Sequence, residues 1–281
     1  MSAPRIGVVG AGLMGCQLAG AIAMHAQPVV LVDPSDEARR TALARVRSEL
    51  RDAVIAGGLA VRASEVAARV ELAADHAALE GCAVVVECTR ESLAPKRESV
   101  RAICAAAPDA VVAINTSCIP IALLVEGVAC PGRVLGAHFM NPVALRPAVE
   151  VAVGALTEAS AVHALEAWLS TLGKRAIRVG DAPGFVSNRV LMLMVNEAVA
   201  VLEAGTADAR TVDRVFTECM GHALGPLATI DLIGVDTVVL SLEVLEATLG
   251  DARFRPRPLL YRLMEQGHLG RKTGRGIHEH E

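Results

Sequence analysis

A glycine-rich turn between an apolar strand and a helix constrains this chain more than any other feature. Residues 5–33, "RIGVVGAGLMGCQLAGAIAMHAQPVVLVD", begin with a β-branched run, Ile6–Val9. The turn "GAGLMG" follows, then a helical stretch to about His25 and a second apolar run, Val29–Val32. This order predicts a β-α-β unit whose two strands lie parallel in one sheet.

The same stretch carries no charged residue between its two ends, so hydropathy alone would suggest a membrane span or a signal peptide. Glycines, Gln17, Gln27 and Pro28 interrupt the apolar run and divide it into strand, turn, helix and strand. We therefore predict no membrane segment. The chain is 53% hydrophobic and 21% charged, which is typical of a globular protein. Its net charge of −4 argues against a general nucleic-acid or anionic-membrane binder.

The glycines of the turn match what a dinucleotide pyrophosphate requires. Gly10 permits the tight turn, Gly12 lets the backbone approach the phosphates, and Gly15 lets the helix pack closely against its strand. Asp33 ends the next strand, where it would bind ribose hydroxyls and repel a 2′-phosphate, so we predict NAD as the cofactor. The predicted cofactor contacts in this unit are Gly10, Gly12, Leu13, Met14, Gly15 and Asp33.

Strands and helices alternate through the first two thirds of the chain. Apolar runs predict further strands at 83–87, 110–115, 134–139, 149–153 and 177–179, and helical stretches lie at 36–56, 95–106, 120–127 and 158–172. After "GDAPGF" only helical patterns remain, at 186–204, 209–220, 226–232, 236–249 and 258–266. We predict an α/β fold, with a Rossmann-type, mostly parallel, doubly wound sheet in residues 1–182 and an all-helical substrate and dimerisation domain in 183–281.

Seven cysteines are scattered along the chain, odd in number and without a C-x-x-C pair. This pattern favours reduced thiols in a cytoplasmic protein over a disulfide framework, and it predicts no metal site.

His138 and Glu150 lie twelve residues apart in "GAHFMNPVALRPAVEV", with little other polar company. A buried charge is costly unless it is paired. The Asn141-Pro142 pair predicts a turn that would return Glu150 to the side of His138. From these residues alone two interpretations remain: a base held by a carboxylate, or a core histidine and an unrelated surface glutamate.

Several motifs together resemble the 3-hydroxyacyl-CoA dehydrogenase family, in particular its short bacterial 3-hydroxybutyryl-CoA dehydrogenases. The resemblance runs nearly end to end, and the motifs that carry it are "GVVGAGLMG", "VVVECTRESLAPK", "INTSCIPI", "GAHFMNPV", "VEV", "DAPGFVSNRVLM", "ALGPLATIDLIGVDT" and "GRKTGRGI". Ordered motifs at family-like spacing are more specific than a single glycine motif.

The resemblance implies a role for each matching residue. His138 matches the catalytic base and Glu150 the carboxylate that orients and polarises its ring. This agrees with the chemistry, because oxidising an alcohol by hydride transfer requires a base for the hydroxyl proton. Ser117 and Asn188 match residues that bind the substrate oxygen and surround the histidine, and Asn188 is expected to face the cleft between the domains. The cofactor contacts that the resemblance adds are Glu91, Lys96, Asn115 and Asn141.

The implied reaction is NAD-dependent oxidation of a short-chain (3S)-3-hydroxyacyl-CoA, such as 3-hydroxybutyryl-CoA, to the 3-ketoacyl thioester. The chain departs from the family by lacking lysines between Ser35 and Arg69, where CoA phosphates are expected to bind. Arg47, Arg51 or Arg62 could replace those lysines. A second interpretation is the same chemistry on a hydroxyacyl group, for example a glyceryl group, carried by an acyl carrier protein in polyketide extender-unit biosynthesis. A third, of another class, is a catalytically inactive NAD-binding structural or sensing protein.

The family resemblance also implies a homodimer through the helical domain. The helices from Val186 onward are rich in leucine, valine, methionine and alanine, more than a thin helical layer needs to cover itself. "ALRPAVE" departs from the family pattern at Arg146 and Pro147, and Ser92 replaces a usual asparagine. The sequence assigns no role to Cys118 or Arg146.

Overall fold

The computed structural model describes residues 3–280, in which the chain forms two compact units divided between Ala182 and Pro183. The first unit contains an eight-stranded sheet. Its strands are β1 (Ile6–Val9), β2 (Val29–Val32), β3 (Val70–Ala73), β4 (Val84–Glu87), β5 (Val111–Ile114), β6 (Val134–His138), β7 (Ala148–Val153) and β8 (Arg175–Gly180). They are arranged in the order β3-β2-β1-β4-β5-β6-β7-β8.

The first six strands are parallel, and the direction reverses only between β6 and β7. β8 pairs parallel with β7. The apolar runs explain the central strands, since β1, β2, β4, β5 and β6 are buried along their whole length. Because parallel strands end at one edge of the sheet, residues that follow β1, β2, β4 and β5 gather there.

Helices connect the strands of this unit. They are α1 (Leu13–Met24), α2 (Asp36–Gly57), α3 (Ala63–Ala67), α4 (Leu93–Ala106), α5 (Ile121–Leu124) and α6 (Ala159–Thr171). Ser35 caps α2 by accepting a hydrogen bond from the Ala38 amide, and the left-handed Gly58 ends it. A hydrophobic core cluster packs α1, α2 and α6 against the sheet.

The second unit is helical. Its helices are α7 (Ser187–Glu203), α8 (Ala209–Arg214), α9 (Pro226–Ile233), α10 (Val235–Leu249) and α11 (Pro258–Glu265). Beyond Pro183 the only β-structure of the described residues is two isolated bridges, which join Gly270 to Arg275 and Arg275 to Glu279. The predicted fold class, a Rossmann-type sheet followed by a helical domain, is therefore confirmed.

Local predictions differ from the structure in three places. The edge strand β3 and the short helix α3 were not predicted, because "VELA" and "ASEVA" are too short and too mixed to show a period. The predicted helix at 120–127 is a single turn, α5. The predicted helix at 209–220 continues beyond Arg214 as a π-helical turn, Val215–Cys219.

The expectation that all seven cysteines are reduced was wrong. Cys104, near the end of α4, and Cys130 are joined by a disulfide, with Cα atoms 6.3 Å apart. The two lie 26 residues apart in sequence, so no local spacing identified them as a pair. Between residues 3 and 280, no helix has the length and apolar character needed to cross a bilayer.

Candidate active site

The glycine-rich turn forms one wall of a cavity of about 1100 Å³ at the carboxyl edge of the sheet. Gly10 has a positive φ of 102°, and a Cβ there would lie 2.8 Å from the Cys88 carbonyl oxygen. A Cβ at Gly15 would overlap the Gly10 carbonyl oxygen, whereas one at Gly12 would meet nothing within 4 Å. The turn thus has the tight bend, the close helix packing and the open backbone that a pyrophosphate needs.

Asp33 lies at the end of β2 and lines the same cavity. Its carboxylate accepts hydrogen bonds from the Ala11 amide (2.8 Å) and the Ser35 amide (2.9 Å). These bonds fix the carboxylate beside the glycine-rich turn, where a ribose would follow the pyrophosphate. The cavity, the turn and this carboxylate fit a dinucleotide.

Two cysteines lie against the turn, and both are neutral thiols. Burial raises the pKa of Cys16 to about 11 and also raises the pKa of Cys88. A thiol that stays protonated is a poor nucleophile, so neither cysteine is a candidate for covalent chemistry near the cofactor cavity.

The structure brings His138 and Glu150 together. They pair directly across the antiparallel strands β6 and β7, so their side chains lie on the same face of the sheet. Nδ1 of His138 lies 3.1 Å from Oε2 of Glu150, and both residues are only 8% exposed. The chain reverses between the two strands through residues 139–147, which include Asn141-Pro142.

The partners of the ring determine its tautomer. A carboxylate can only accept, so Nδ1 of His138 carries the proton and donates it to Glu150. Nε2 of the neutral ring is then an acceptor, and the Ser117 hydroxyl lies 3.0 Å from it. Nε2 can therefore act as a base toward a ligand hydroxyl bound beside Ser117, and Glu150 can stabilise the imidazolium that forms when Nε2 takes a proton.

Glu91 holds the turn that carries Ser117. One oxygen, Oε1, accepts hydrogen bonds from the Thr116 hydroxyl (2.6 Å), the Ser117 amide (2.8 Å) and the Cys118 amide (3.0 Å). Its other oxygen lies 3.8 Å from Nζ of Lys96. Glu91 therefore positions the serine; its predicted contact with the cofactor stays a prediction.

Lys96 is fully buried on α4, and its ammonium binds protein groups. Nζ donates to Oε2 of Glu87 (2.7 Å) and to the Asn115 carbonyl oxygen (2.9 Å), and the Glu87 side chain is also fully buried. The Asn115 side chain in turn accepts a hydrogen bond from the Phe139 amide (3.0 Å), one residue after His138. This network joins the ends of β4 and β5 to β6, the strand that carries His138.

The remaining predicted residues have different surroundings. Leu13 and Met14 line the cavity at the start of α1. Asn141 is exposed on the turn after β6, where Arg146 donates from Nε to its carbonyl oxygen (3.3 Å). Asn188 is a buried residue in the first turn of α7, in the second unit. The roles of these residues stay predictions.

Sequence reasoning missed Glu87 and Gln17. Glu87 ends the apolar strand "VVVE", and Lys96, one of only three lysines, follows it by nine residues. A carboxylate at the end of a buried strand with a lysine nearby was a usable signal of a buried ion pair. Gln17 is 6% exposed on α1 and contacts residues 32 and 124 positions away. Its partners could not be inferred from neighbouring sequence.

Family models match the two units separately. Residues 5–182 match the 3-hydroxyacyl-CoA dehydrogenase NAD binding domain, and residues 184–280 match the 3-hydroxyacyl-CoA dehydrogenase C-terminal domain.

Relatives and solved structures match over the full length. A probable 3-hydroxybutyryl-CoA dehydrogenase of Bacillus subtilis is 37% identical over 285 residues, covering 100% of this chain and 99% of the relative. The crystal structure of FadB2 from M. tuberculosis superposes with a TM-score of 0.94 at 34% identity, with both chains covered completely. The (S)-3-hydroxybutyryl-CoA dehydrogenase PaaH1 from Ralstonia eutropha superposes with a TM-score of 0.89 at 35% identity, again over both whole chains.

The glycine-rich cavity with Asp33, the Ser117–His138–Glu150 chain and these full-length matches agree with one another. The chain belongs to the 3-hydroxyacyl-CoA dehydrogenase family, whose members are NAD-dependent oxidoreductases.

Proposed function

We propose that this protein interconverts short-chain (3S)-3-hydroxyacyl-CoA, such as 3-hydroxybutyryl-CoA, and the corresponding 3-ketoacyl-CoA. The observation that carries the proposal is the hydrogen-bonded chain from Ser117 through His138 to Glu150. An inactive NAD-binding protein would have no need to keep a buried histidine bonded to both a hydroxyl and a carboxylate. The names of the relatives, which act on 3-hydroxybutyryl-CoA, support the same substrate class.

Each residue of the chain has a distinct part in the reaction. When bound, NAD supplies the acceptor for the hydride that leaves the alcohol carbon. Nε2 of His138 takes the hydroxyl proton as the carbonyl forms, and Glu150 stabilises the resulting imidazolium. When substrate binds, the Ser117 hydroxyl turns its single hydrogen from Nε2 to the substrate oxygen, so that the Nε2 lone pair can take the substrate proton. Asn188 is assigned to substrate binding on the basis of the family resemblance.

Arginines on α2 support CoA as the acyl carrier. Among residues 3–280, Arg47 and Arg51 make no hydrogen bond or ion pair with protein, and both are exposed on one side of the helix. Arg62 is paired with Glu65 at 3.2 Å. Guanidinium groups without a protein partner are suited to phosphates, so Arg47 and Arg51 are our candidates for the role of the missing lysines.

We expect NADH-dependent reduction of acetoacetyl-CoA at a rate at least tenfold above that with NADPH, because the Asp33 carboxylate repels a 2′-phosphate. Initial rates of NADH and NADPH oxidation, followed at the nicotinamide absorbance, check this. The control is the same acyl group on an acyl carrier protein. A carrier thioester that reacts while acetoacetyl-CoA does not would overturn the CoA assignment and establish the carrier-protein alternative.

We also infer a homodimer, supported by exposed apolar side chains of the second unit such as Val186 (57% exposed), Val190 (62%) and Met220 (59%). Light scattering at micromolar concentration is expected to give about twice the chain mass of 29.3 kDa. Val190→Glu should shift the mass toward a monomer, whereas Ile55→Glu, at a similarly exposed position of the first unit, should not. A monomeric parent protein would contradict the inference.

We infer a cytoplasmic protein, supported by Cys16, Cys82, Cys88 and Cys219, which are thiols beside the Cys104–Cys130 disulfide.

A further inference from the structure

Gln17 is a buried amide on an otherwise apolar face of α1, the helix that follows the glycine-rich turn. Its side chain makes three hydrogen bonds. Nε2 donates to Oε2 of Glu49 (2.7 Å) and to Oδ1 of Asn141 (2.9 Å), and Oε1 accepts from the Val143 amide (3.0 Å). One side chain therefore joins α1, α2 and the turn between β6 and β7.

We propose that Gln17 is a positioning residue for the cofactor: it fixes the Asn141 amide with its N–H group directed toward the nicotinamide half of the bound dinucleotide. The proposal rests on the proposed function and on the contact between Asn141 and the cofactor that the family resemblance implies. It adds a residue that the motifs did not indicate.

The hydrogen-bond partners determine the orientation of both amides. The Val143 amide can only donate and the Glu49 carboxylate can only accept, so Oε1 of Gln17 must face Val143 and Nε2 must face Glu49. The second N–H of Nε2 then points at Asn141, which must present Oδ1 to it. Neither amide can be turned over without leaving a buried donor or acceptor unpaired.

The consequence is that Nδ2 of Asn141 is directed away from Gln17. Asn141 is exposed, and within the described residues its Nδ2 has no hydrogen-bond partner. A fixed amide donor suits an acceptor oxygen, and the nicotinamide carboxamide has such an oxygen. Orientation before binding removes the entropic cost of fixing the amide when the ligand arrives.

The same turn is held from its other side by Lys174. Its buried ammonium donates to the carbonyl oxygens of Val143 (2.6 Å) and Arg146 (2.7 Å), and burial lowers the pKa of Lys174. The Val143 peptide is thus held at both its amide, by Gln17, and its carbonyl, by Lys174. A turn held at both sides carries Asn141 at a fixed place three residues after His138.

The test is NADH affinity, measured by fluorescence titration, in Gln17→Leu, Asn141→Ala and the double variant. We expect Gln17→Leu and Asn141→Ala each to weaken NADH binding about five- to tenfold, the range for losing one oriented hydrogen bond. The double variant should bind no more than twofold more weakly than Asn141→Ala alone, because Gln17 acts through Asn141. In turnover assays the KM for NADH should rise while the KM for acetoacetyl-CoA stays within twofold.

The matched control is Gln27→Leu. Gln27 is also a buried glutamine, 5% exposed, which donates to the Thr171 hydroxyl (2.6 Å) and accepts from Nε1 of Trp168 (3.0 Å). This variant should lower the melting temperature as Gln17→Leu does but leave NADH affinity within twofold of the parent. It therefore separates a general loss of stability from a loss of orientation.

A paired exchange tests the amide direction itself. Gln17→Glu combined with Glu49→Gln keeps a donor opposite an acceptor between α1 and α2, and keeps an acceptor for the Val143 amide. The new carboxylate has no N–H for Asn141, so the Asn141 amide must turn over and present Oδ1 to the cofactor. We expect a melting temperature near that of the parent, with NADH binding as weak as in Gln17→Leu.

Two results would overturn the proposal: parent-like NADH affinity in the paired exchange, or additive losses in Gln17→Leu and Asn141→Ala. Because the titration needs no turnover, it tests the role of Gln17 even if no acyl thioester proves to be a substrate. Failure of the proposed function is then seen in the rate assay alone.

Discussion

Replacing His138 by glutamine is expected to lower kcat by about 10²–10⁴-fold, the usual contribution of a positioned general base. Glutamine preserves much of the volume and can still contact Ser117 and Glu150, so the packing between β6 and β7 should persist. It cannot take the hydroxyl proton at neutral pH. Initial rates at saturating NADH and acetoacetyl-CoA measure the effect, and fluorescence titration should give an NADH affinity within about twofold of the parent.

Glu150→Gln should have a smaller but still large effect, about 10²-fold or more, for a different reason. The amide can donate as well as accept, so it no longer forces the proton of His138 onto Nδ1. The ring can then present a protonated Nε2 to Ser117, and the imidazolium loses its counter-charge.

His163→Gln, at an exposed position of α6, is the matched control for His138→Gln and should leave kcat unchanged. A His138→Gln variant that retained more than a tenth of the parent rate would refute the assignment of the base.

The sequence was sufficient to predict the nucleotide-binding unit because its signals are local. β1, the turn and α1 follow one another within twenty residues. A Cβ at Gly10 or Gly15 would collide with the backbone, whereas Gly12 leaves the backbone open. The pairing of His138 with Glu150 was expected from the family resemblance, because from the residues alone a core histidine and an unrelated glutamate remained possible. The register of the two strands depends on the whole connection 139–147, which the Asn-Pro pair alone does not define. By contrast, β3 is a short edge strand with only its first residue buried, and such a strand shows no apolar pattern to read.

The contacts that hold the site in place depend on tertiary structure. Gln17 binds Asn141, 124 residues away in sequence. The Asn115 side chain accepts from the backbone amide of Phe139, a contact that a pattern of side chains cannot reveal. The disulfide between Cys104 and Cys130 likewise joins two segments brought together by folding. The candidate catalytic residues match a motif in the sequence, whereas the residues that position them are recognised only by their place in the fold.

Replacing Lys96 by methionine is expected to destabilise the protein by about 3–5 kcal/mol, the cost of breaking a buried ion pair by removing one partner. The Glu87 carboxylate would stay fully buried with only the Thr89 amide and hydroxyl as donors, and its charge would be uncompensated. At about 2–4 °C per kcal/mol for a chain of this size, the melting temperature should fall by roughly 6–20 °C. Differential scanning calorimetry on the parent and the variant measures this shift.

The double variant Lys96→Met/Glu87→Gln decides whether the uncompensated charge causes the loss. The glutamine amide removes the charge and can still accept from the Thr89 amide, so we expect more than half of the lost melting temperature to return. Exposed Arg178→Met, which removes a surface partner of Glu166, is the matched control and should leave the melting temperature close to that of the parent. A Lys96→Met variant no less stable than this control would mean that the buried network is not what ties the ends of β4 and β5 together. In the double variant Glu91 has lost its neighbouring cation at 3.8 Å, and Glu91 alone holds the turn that carries Ser117. If the large loss and its recovery are both seen, the activity of the double variant therefore measures how far the position of Ser117 depends on Lys96.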